Sequence, residues 1–436
     1  MGGAVPQEKH LSRPLWREPD FLKLWCAETI SHFGTQVSHL AVPLVAILLL
    51  DVSPFEFALL GMLEFLPFVL FSLPAGVWVD RLRRRPILIL ADIGRGVSLA
   101  SIPLAYLAGA LTIWQLYLVG FVNGVMTVFF DIAYQSYLPS LVERDQINDG
   151  NAKLETSRSV AQIAGPGFAG ALIAAITAPI AIVVDSLSFA GSAVFVWLIR
   201  KRESASQAPA SRPGAGRNMR AEIVEGLGYV LKHRYLKNIA ACTATSNFFG
   251  SVSFSISLLY FARDIGLSPE VIGIVLAAGN TGPLLGALFA NRIARTMGVG
   301  RTILLSAIFT GPSLLLVPLA PREPGELTFC MLAASSFILG FSAVVYNITQ
   351  VSLRQALTPE RMQGRMNATM RFIVWGTIPA GQMLGGAIAS VFGVPSALWL
   401  GAAGMVFSFL PILLSDVPSI RDMPTQAEQQ GPTAIA

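Results

Sequence analysis

The sequence predicts an all-α polytopic membrane protein of about twelve transmembrane helices, arranged as two six-helix repeats. Three observations carry this expectation. The 436 residues are 53% hydrophobic and only 13% charged, about half the charged share of a soluble domain. Apolar runs long enough to cross a roughly 30 Å hydrocarbon core recur between residues 21 and 416, where a membrane barrel would show short alternating strands. Finally, small-residue motifs of the first half recur in the second in the same order and at the same spacing.

Apolar runs and polar breaks place spans near 21–50, 54–79, 86–109, 112–137, 156–177, 179–199, 235–262, 269–291, 301–320, 327–353, 366–390 and 394–415. Basic residues crowd alternate breaks. Arg81 and Arg83 to Arg85, Arg144 and Lys153, the stretch from Arg200 to Arg234, Arg292, Arg295 and Arg301, and Arg354, Arg361 and Arg365 fall on one side, whereas the opposite breaks hold only Arg263 and Arg322. The positive-inside rule makes the first side cytoplasmic, and an even number of spans puts both termini there. The domain reading is a cytoplasmic segment over 1–20, a six-helix bundle over 21–200, a linker over 201–234, a second bundle over 235–416, and a disordered tail over 417–436. Within the linker, Glu203 to Arg217 is rich in Ser, Ala, Pro and Gly. From Met219 to His233, Ile223, Val224, Leu227, Val230 and Leu231 recur at helical spacing, which reads as an amphipathic helix on the cytoplasmic membrane surface.

Composition excludes other classes. Cys26, Cys242 and Cys330 lie far apart in apolar runs, so neither a disulfide framework nor a thiolate metal site is indicated. The net charge of +5 is scattered rather than gathered into a stripe beside aromatics, which argues against nucleic acid. The first twenty residues show no apolar core with a small-residue cleavage site, so no removable signal peptide is expected.

The repeat is specific. Asn151-Ala152, Gly165 and Gly170-Ala171 recur as Asn367-Ala368, Gly381 and Gly386-Ala387, and the loop Gly76-Val-Trp-Val-Asp80-Arg81-Leu-Arg83-Arg84-Arg85 has a counterpart at Asn291 to Arg301. Two parallel six-helix repeats suit a transporter whose site lies between its halves. At these residues the sequence resembles the major facilitator superfamily. Gly76 to Arg85 looks like that superfamily's signature between helices 2 and 3, in the Asp-Arg-x-x-Arg-Arg form of a branch similar to macrolide-efflux and enterobactin-exporter proteins. Leu138 to Val142, Asn151-Ala152 and Glu225 to Tyr229 resemble the same branch. Gly165-Pro166-Gly167-Phe168-Ala169-Gly170 resembles the Gly-Pro-x-x-Gly-Gly antiporter motif, with Ala169 in place of a glycine. The resemblance implies export and a cavity lined by spans 1, 4, 7 and 10.

Physical reasoning supplies roles for these groups. Asp80 and Arg81, with Arg84 and Arg85, could form charge-assisted bonds to helix ends that are made in one conformation and broken in the other, a cytoplasmic gate. The bland alternative is that the arginines only orient the span. Asp92 and Arg95, one turn apart inside the third span, read as a local pair coupled to that loop.

The candidate chemistry lies inside the membrane. Glu28, His32, Gln36 and His39 fall in a narrow arc at about 100° per residue, a polar stripe on an apolar helix. Glu28 and His32 are an i,i+4 pair able to exchange a proton or meet a polar solute. An acid–His pair without a thiolate cluster gives no metal site. Asn123, Thr127, Asp131 and Gln135 share one face of the fourth span with Tyr134 beside them, which makes Asp131 a second protonatable candidate; Glu64 in the second span is the third. The C-terminal half offers uncharged groups at Asn247, Tyr346, Asn347 and Gln350 instead. The functional expectation is a secondary active transporter driven by the proton gradient, without another cofactor. It would export an amphipathic small organic molecule across a bacterial cytoplasmic membrane and function as a monomer. An importer or symporter is the nearest alternative. An intramembrane enzyme using Glu28 and His32 is the more distant one, since no nucleophile elbow, zinc-protease motif or phosphate loop is present.

Overall fold

A computed structural model describes residues 15–143, 146–201 and 219–423; the side chains of Leu73, Val77, Asp80, Arg81, Asn148, Met219 to Val224, Glu360 and Arg361 lie outside that description. The Glu203–Arg217 linker and the gate side chains of Asp80 and Arg81 therefore fall outside the described residues. The first half comprises α1 (Pro19–Leu48), α2 (Pro54–Arg81), α3 (Arg84–Leu107), α4 (Ile113–Leu141), α5 (Ile147–Ile176) and α6 (Ala178–Trp197). The linker helix α7 (Met219–Lys232) follows. The second half comprises α8 (Leu236–Leu259), α9 (Pro269–Met297), α10 (Val299–Leu319), α11 (Glu326–Leu357), α12 (Glu360–Phe392), α13 (Val394–Val406) and the short α14 (Leu410–Leu413). Ten of the described segments are apolar and long enough to cross a membrane. Helices α1 and α8, 30 and 24 residues long, carry more polar side chains and stand where spans 1 and 7 were expected.

Helices overrun their apolar runs. The fifth was expected from 156 and begins at Ile147, the eleventh from 366 and begins at Glu360. An apolar run reports where lipid contacts the helix, whereas the backbone ladder continues into polar sequence. Caps set other ends. Ser53 Oγ accepts the Glu56 N–H while the Glu56 carboxylate accepts the Ser53 N–H, a closed capping box with Pro54 in the first turn of α2.

The internal repeat is also a repeat of packing. In the first half α1 packs on α5 and α6, α2 on α4, and α3 on α4 and α6; in the second, α8 packs on α12 and α13, α9 on α11, and α10 on α11 and α13. The halves meet by the symmetric pair α5 on α9 and α2 on α12. Glycines make this seam. A Cβ on Gly170 would strike the backbone of Pro269, Glu270 and Gly273, and one on Gly386 would strike Pro54, Phe55 and Ala58. Gly170 and Gly386 are equivalent positions of the repeat, and the segments they face, from Pro269 and from Pro54, are the equivalent starts of α9 and α2, so one contact is built twice. Bare backbone lets helices approach closely without a driving force between apolar surfaces. The seam lies toward the turns at 51–53 and 265–268, where Arg263 also pairs with Asp51 at 2.7 Å. It extends inward through Asn280, whose Nδ2 donates to Gln162 O at 2.6 Å, to the rings of Phe65 and Trp375, 6.0 Å apart.

The turns between the last two helices of each half match as well. Gly393 (φ +87°) and Thr177 (φ +77°) occupy the same place in the two repeats, and Thr177 with ψ 153° lies in a region that essentially only glycine enters. Thr177→Gly is expected to stabilise the protein by about 1–3 kcal/mol, read as a higher midpoint of thermal unfolding in detergent; no increase would mean that Thr177 is unstrained.

Two expectations change. The stripe on α7 is shared with protein: Val230 is fully buried, Tyr229 donates to Leu357 O, Gly226 sits against Arg365 and Thr369 of α12, and Glu225 pairs with Arg365, leaving Leu227 and Leu231 exposed. The tail expected to be disordered from 417 is folded at its start. There Val417–Ser419 forms a short 3-10 turn, and the N–H groups of Val299 and Gly300 donate to the carbonyls of Arg421 and Ile420.

Candidate functional site

The stripe on α1 divides into two stations. Glu28 is 3% exposed; its Oε2 lies 3.5 Å from His32 Nε2, and its Oε1 has no hydrogen-bond partner. Gln36 packs where a Cβ on Gly165 would collide, so the first glycine of the α5 motif is required by α1. Farther along, His39 Nδ1 lies 3.9 Å from Glu64 Oε1 with both side chains largely open. The helical rise of 1.5 Å per residue puts about 16 Å along the axis between Glu28 and His39.

Around Glu28 stands a second layer of charge. Asp92, Arg95 and Asp131 all act on it electrostatically. Arg95 Nη2 reaches Asp92 Oδ1 at 2.5 Å, Ser192 Oγ donates to Asp92 Oδ2 at 2.7 Å, and the guanidinium lies 4.2 Å from the centroids of both Phe130 and Phe189. The pair was expected to couple to the Asp80 loop. It is buried among α3, α4 and α6, surrounded by those two rings and the Ser192 hydroxyl, and the Asp80 side chain lies outside the described residues. On α4 the four expected polar residues diverge. Asn123 donates to Ser98 Oγ on α3 and is committed to packing, Asp131 and Gln135 are exposed, Thr127 is half-buried, and Tyr134 stacks on Phe130.

Two groups were not anticipated. Arg158 on α5 pairs loosely with Glu155 and lies within electrostatic range of His32, Asp131 and Tyr134. Asp185 on α6, 1% exposed, accepts from Ser188 Oγ at 3.0 Å and faces α1 at Gly34. The signal for Asp185 was a single charge inside an apolar run, as for Glu64, whereas Arg158 follows Lys153 and Glu155 in polar sequence and gave none.

At the gate loop, Arg85 donates to the carbonyls of Val196 and Trp197, capping the end of α6. Arg84 is half-buried, and Gly76 has open space where a Cβ would stand. Arg85 thus acts as a fastening between α3 and α6.

The second half holds a cavity of about 320 Å³ lined by α8, α10, α11, α12 and α13. Asn247, Tyr346 and Asn347 line it. Thr243 Oγ1 and Tyr346 Oη are 2.8 Å apart, and Asn247 Nδ2 donates to Val374 O at 3.0 Å. Gln350 is buried behind the cavity and donates to Asn347 Oδ1. Arg371 stacks its cation over Trp375, 4.5 Å from the centroid.

Comparison with known proteins fits this architecture. The chain is 26% identical over 410 residues to the multidrug efflux pump Tap of Mycolicibacterium fortuitum, covering 91% of this chain and 97% of that one. It is 23% identical over 408 residues to macrolide efflux protein A of Streptococcus pyogenes, covering 92% and 97%. The crystal structure of a bacterial homologue of the iron transporter ferroportin in an inward-facing state superposes with a TM-score of 0.70 at 14% identity, covering 92% of this chain and 99% of that one. The sequence pattern of the family described as transmembrane secretion effector matches residues 13–434. A repeated six-helix packing, a glycine seam between the halves and a match over nearly the whole length place the chain in that family of major facilitator transporters, multi-pass membrane proteins that move small molecules and are not enzymes.

Proposed function

We propose that this transporter is a proton-coupled exporter of amphipathic organic molecules, working by alternating access in a bacterial cytoplasmic membrane with both termini in the cytoplasm. The observation that carries the reading is the Glu28 station. A carboxyl on a membrane helix with one unpartnered oxygen, a histidine one turn away and further charges nearby is placed to take up and release a proton. Relatives named for multidrug and macrolide efflux support export and an amphipathic organic substrate. The basic breaks support the orientation. The seam lies on the side away from those breaks, so the arrangement corresponds to a cavity facing the cytoplasm.

Proteoliposomes loaded with a macrolide or another amphipathic compound test the reading. An imposed pH gradient should drive the compound against its own gradient and opposite to proton flow, and a protonophore should abolish that movement. Movement in the same direction as protons would establish the symporter alternative. Indifference to the gradient would remove proton coupling.

A further inference from the structure

The two halves correspond residue by residue at their cores, which allows the charged station of one to be compared with its counterpart in the other. Two contacts fix the register. Gln36 under Gly165 corresponds to Ser251 under Gly381, and Pro67 against Gly124 corresponds to Pro283 against Gly340. Counting along α1 from Gln36, along α4 from Gly124 and along α5 from Gly165 then pairs every position with its mate in α8, α11 and α12. By that register Glu28, His32, His39, Asp131 and Arg158 correspond to Thr243, Asn247, Phe254, Asn347 and Val374. Each titratable or charged group has an uncharged mate, and all five mates line the 320 Å³ cavity. The fold builds one shell twice, filling it with ionisable side chains in the first half and leaving it neutral and open in the second.

We propose that this cavity in the second bundle is a binding subsite for an uncharged, hydrogen-bonding aromatic part of the transported molecule. The proposal rests on the transport reading above and adds to it a site and a substrate chemistry. None of the cavity's sixteen lining residues is charged, so a buried ionic group would lose its hydration without a compensating partner. Uncharged polar groups are matched. Asn247 keeps a carbonyl oxygen after donating to Val374 through Nδ2, Ser246 and Ser251 add hydroxyls, and Asn347 presents an exposed amide at the rim. Trp375 supplies an apolar wall. The volume stands at the low end of the roughly 300–1,000 Å³ range of small-molecule sites.

Trp375 also ties the cavity to transport. Its ring meets Phe65 of α2 across the seam at 6.0 Å, so a ligand against Trp375 touches the junction along which the halves rock. Arg371 is engaged on that same ring, and its cation is committed to the aromatic face.

The test uses the full chain in lipid nanodiscs with chloramphenicol as probe, an uncharged aromatic carrying hydroxyl and amide groups, and empty nanodiscs as the blank for partition into lipid. Tetraphenylphosphonium, an aromatic cation without hydrogen-bonding groups, is the competitor. Saturable chloramphenicol binding is expected, undisplaced by tetraphenylphosphonium. Ala343→Trp, which fills the cavity from an exposed position on α11, and Asn347→Leu, which removes an amide at similar size, should each weaken binding at least roughly tenfold. Elution as a single species and an unfolding midpoint near the parent's qualify each variant, and either one suffices. Absence of chloramphenicol binding, displacement by tetraphenylphosphonium, or parent-like affinity in a folded variant would overturn the subsite. The export reading fails separately: a parent that binds chloramphenicol in the cavity yet ignores a pH gradient keeps the subsite and loses proton coupling, and the converse result does the reverse.

Discussion

Glu28→Gln is expected to abolish uphill export driven by a pH gradient while exchange of substrate down its own gradient survives. The distinction between Glu28 and its neighbours decides this. Both oxygens of Asp92 are engaged, one by Arg95 and one by Ser192, so its charge is fixed in place. Glu28 has one oxygen beside His32 and one without a partner, an arrangement in which gaining or losing a proton breaks no strong ion pair. Glutamine keeps the size of the side chain and removes the exchangeable proton. Net movement against a gradient then has no coupled ion, whereas one-for-one exchange requires none. Reconstituted vesicles separate the two modes. Uphill efflux by the variant at the parent rate would exclude Glu28 and turn attention to Asp131 and to Glu64, which faces His39 in the more open station.

Arg95→Leu should destabilise the first bundle by about 3–5 kcal/mol, because it leaves the Asp92 carboxylate buried without its counter-charge. The guanidinium also fills the space between the rings of Phe130 and Phe189, so leucine loses contact as well as charge. The loss is measured as a lower unfolding midpoint of the purified protein. The double variant with Asp92→Asn should recover much of it, since the uncompensated charge is then gone. If the double variant were no better than the single one, ring packing rather than ion pairing would be the main contribution of Arg95.

The sequence was most informative where membrane physics leaves few choices. Apolar runs and the internal repeat marked the helices and their two-fold arrangement, because a lipid-facing backbone must close its own hydrogen bonds. The stripe on α1 was legible for the same reason: a polar residue in a span is costly and therefore conspicuous. What lay beyond reach was which helix each polar group would face. Asn123 and Asp131 lie on one face of α4 by period, yet one donates to Ser98 and the other is exposed, a difference fixed by neighbours on other helices. Arg85 illustrates the same limit. Within the loop motif it reads as one of several cations on the cytoplasmic side, and only the position of the α6 terminus reveals that it caps Val196 and Trp197. Of the cavity of the second half, Asn247, Tyr346 and Asn347 were legible as polar groups within spans, whereas Gly250, Ala307 and Ala343, which complete its wall, stand out against no apolar background.

The fastenings at the start of α3 and α10 also set an order of assembly. Arg85 binds the carbonyls that end α6, and Arg200 and Lys201 donate to Asp20 of α1, so these ties within the first bundle can all form once synthesis passes Lys201. The opening amides of α10 instead wait for the carbonyls of Ile420 and Arg421, beyond the last helix of the second bundle. Ribosomes add about 5–20 residues per second, so the first bundle has on the order of ten to forty seconds to settle in the bilayer before the second can be tied off. The half that holds the ionisable station is thus completed against lipid alone, and the half that holds the neutral cavity is completed against a finished neighbour.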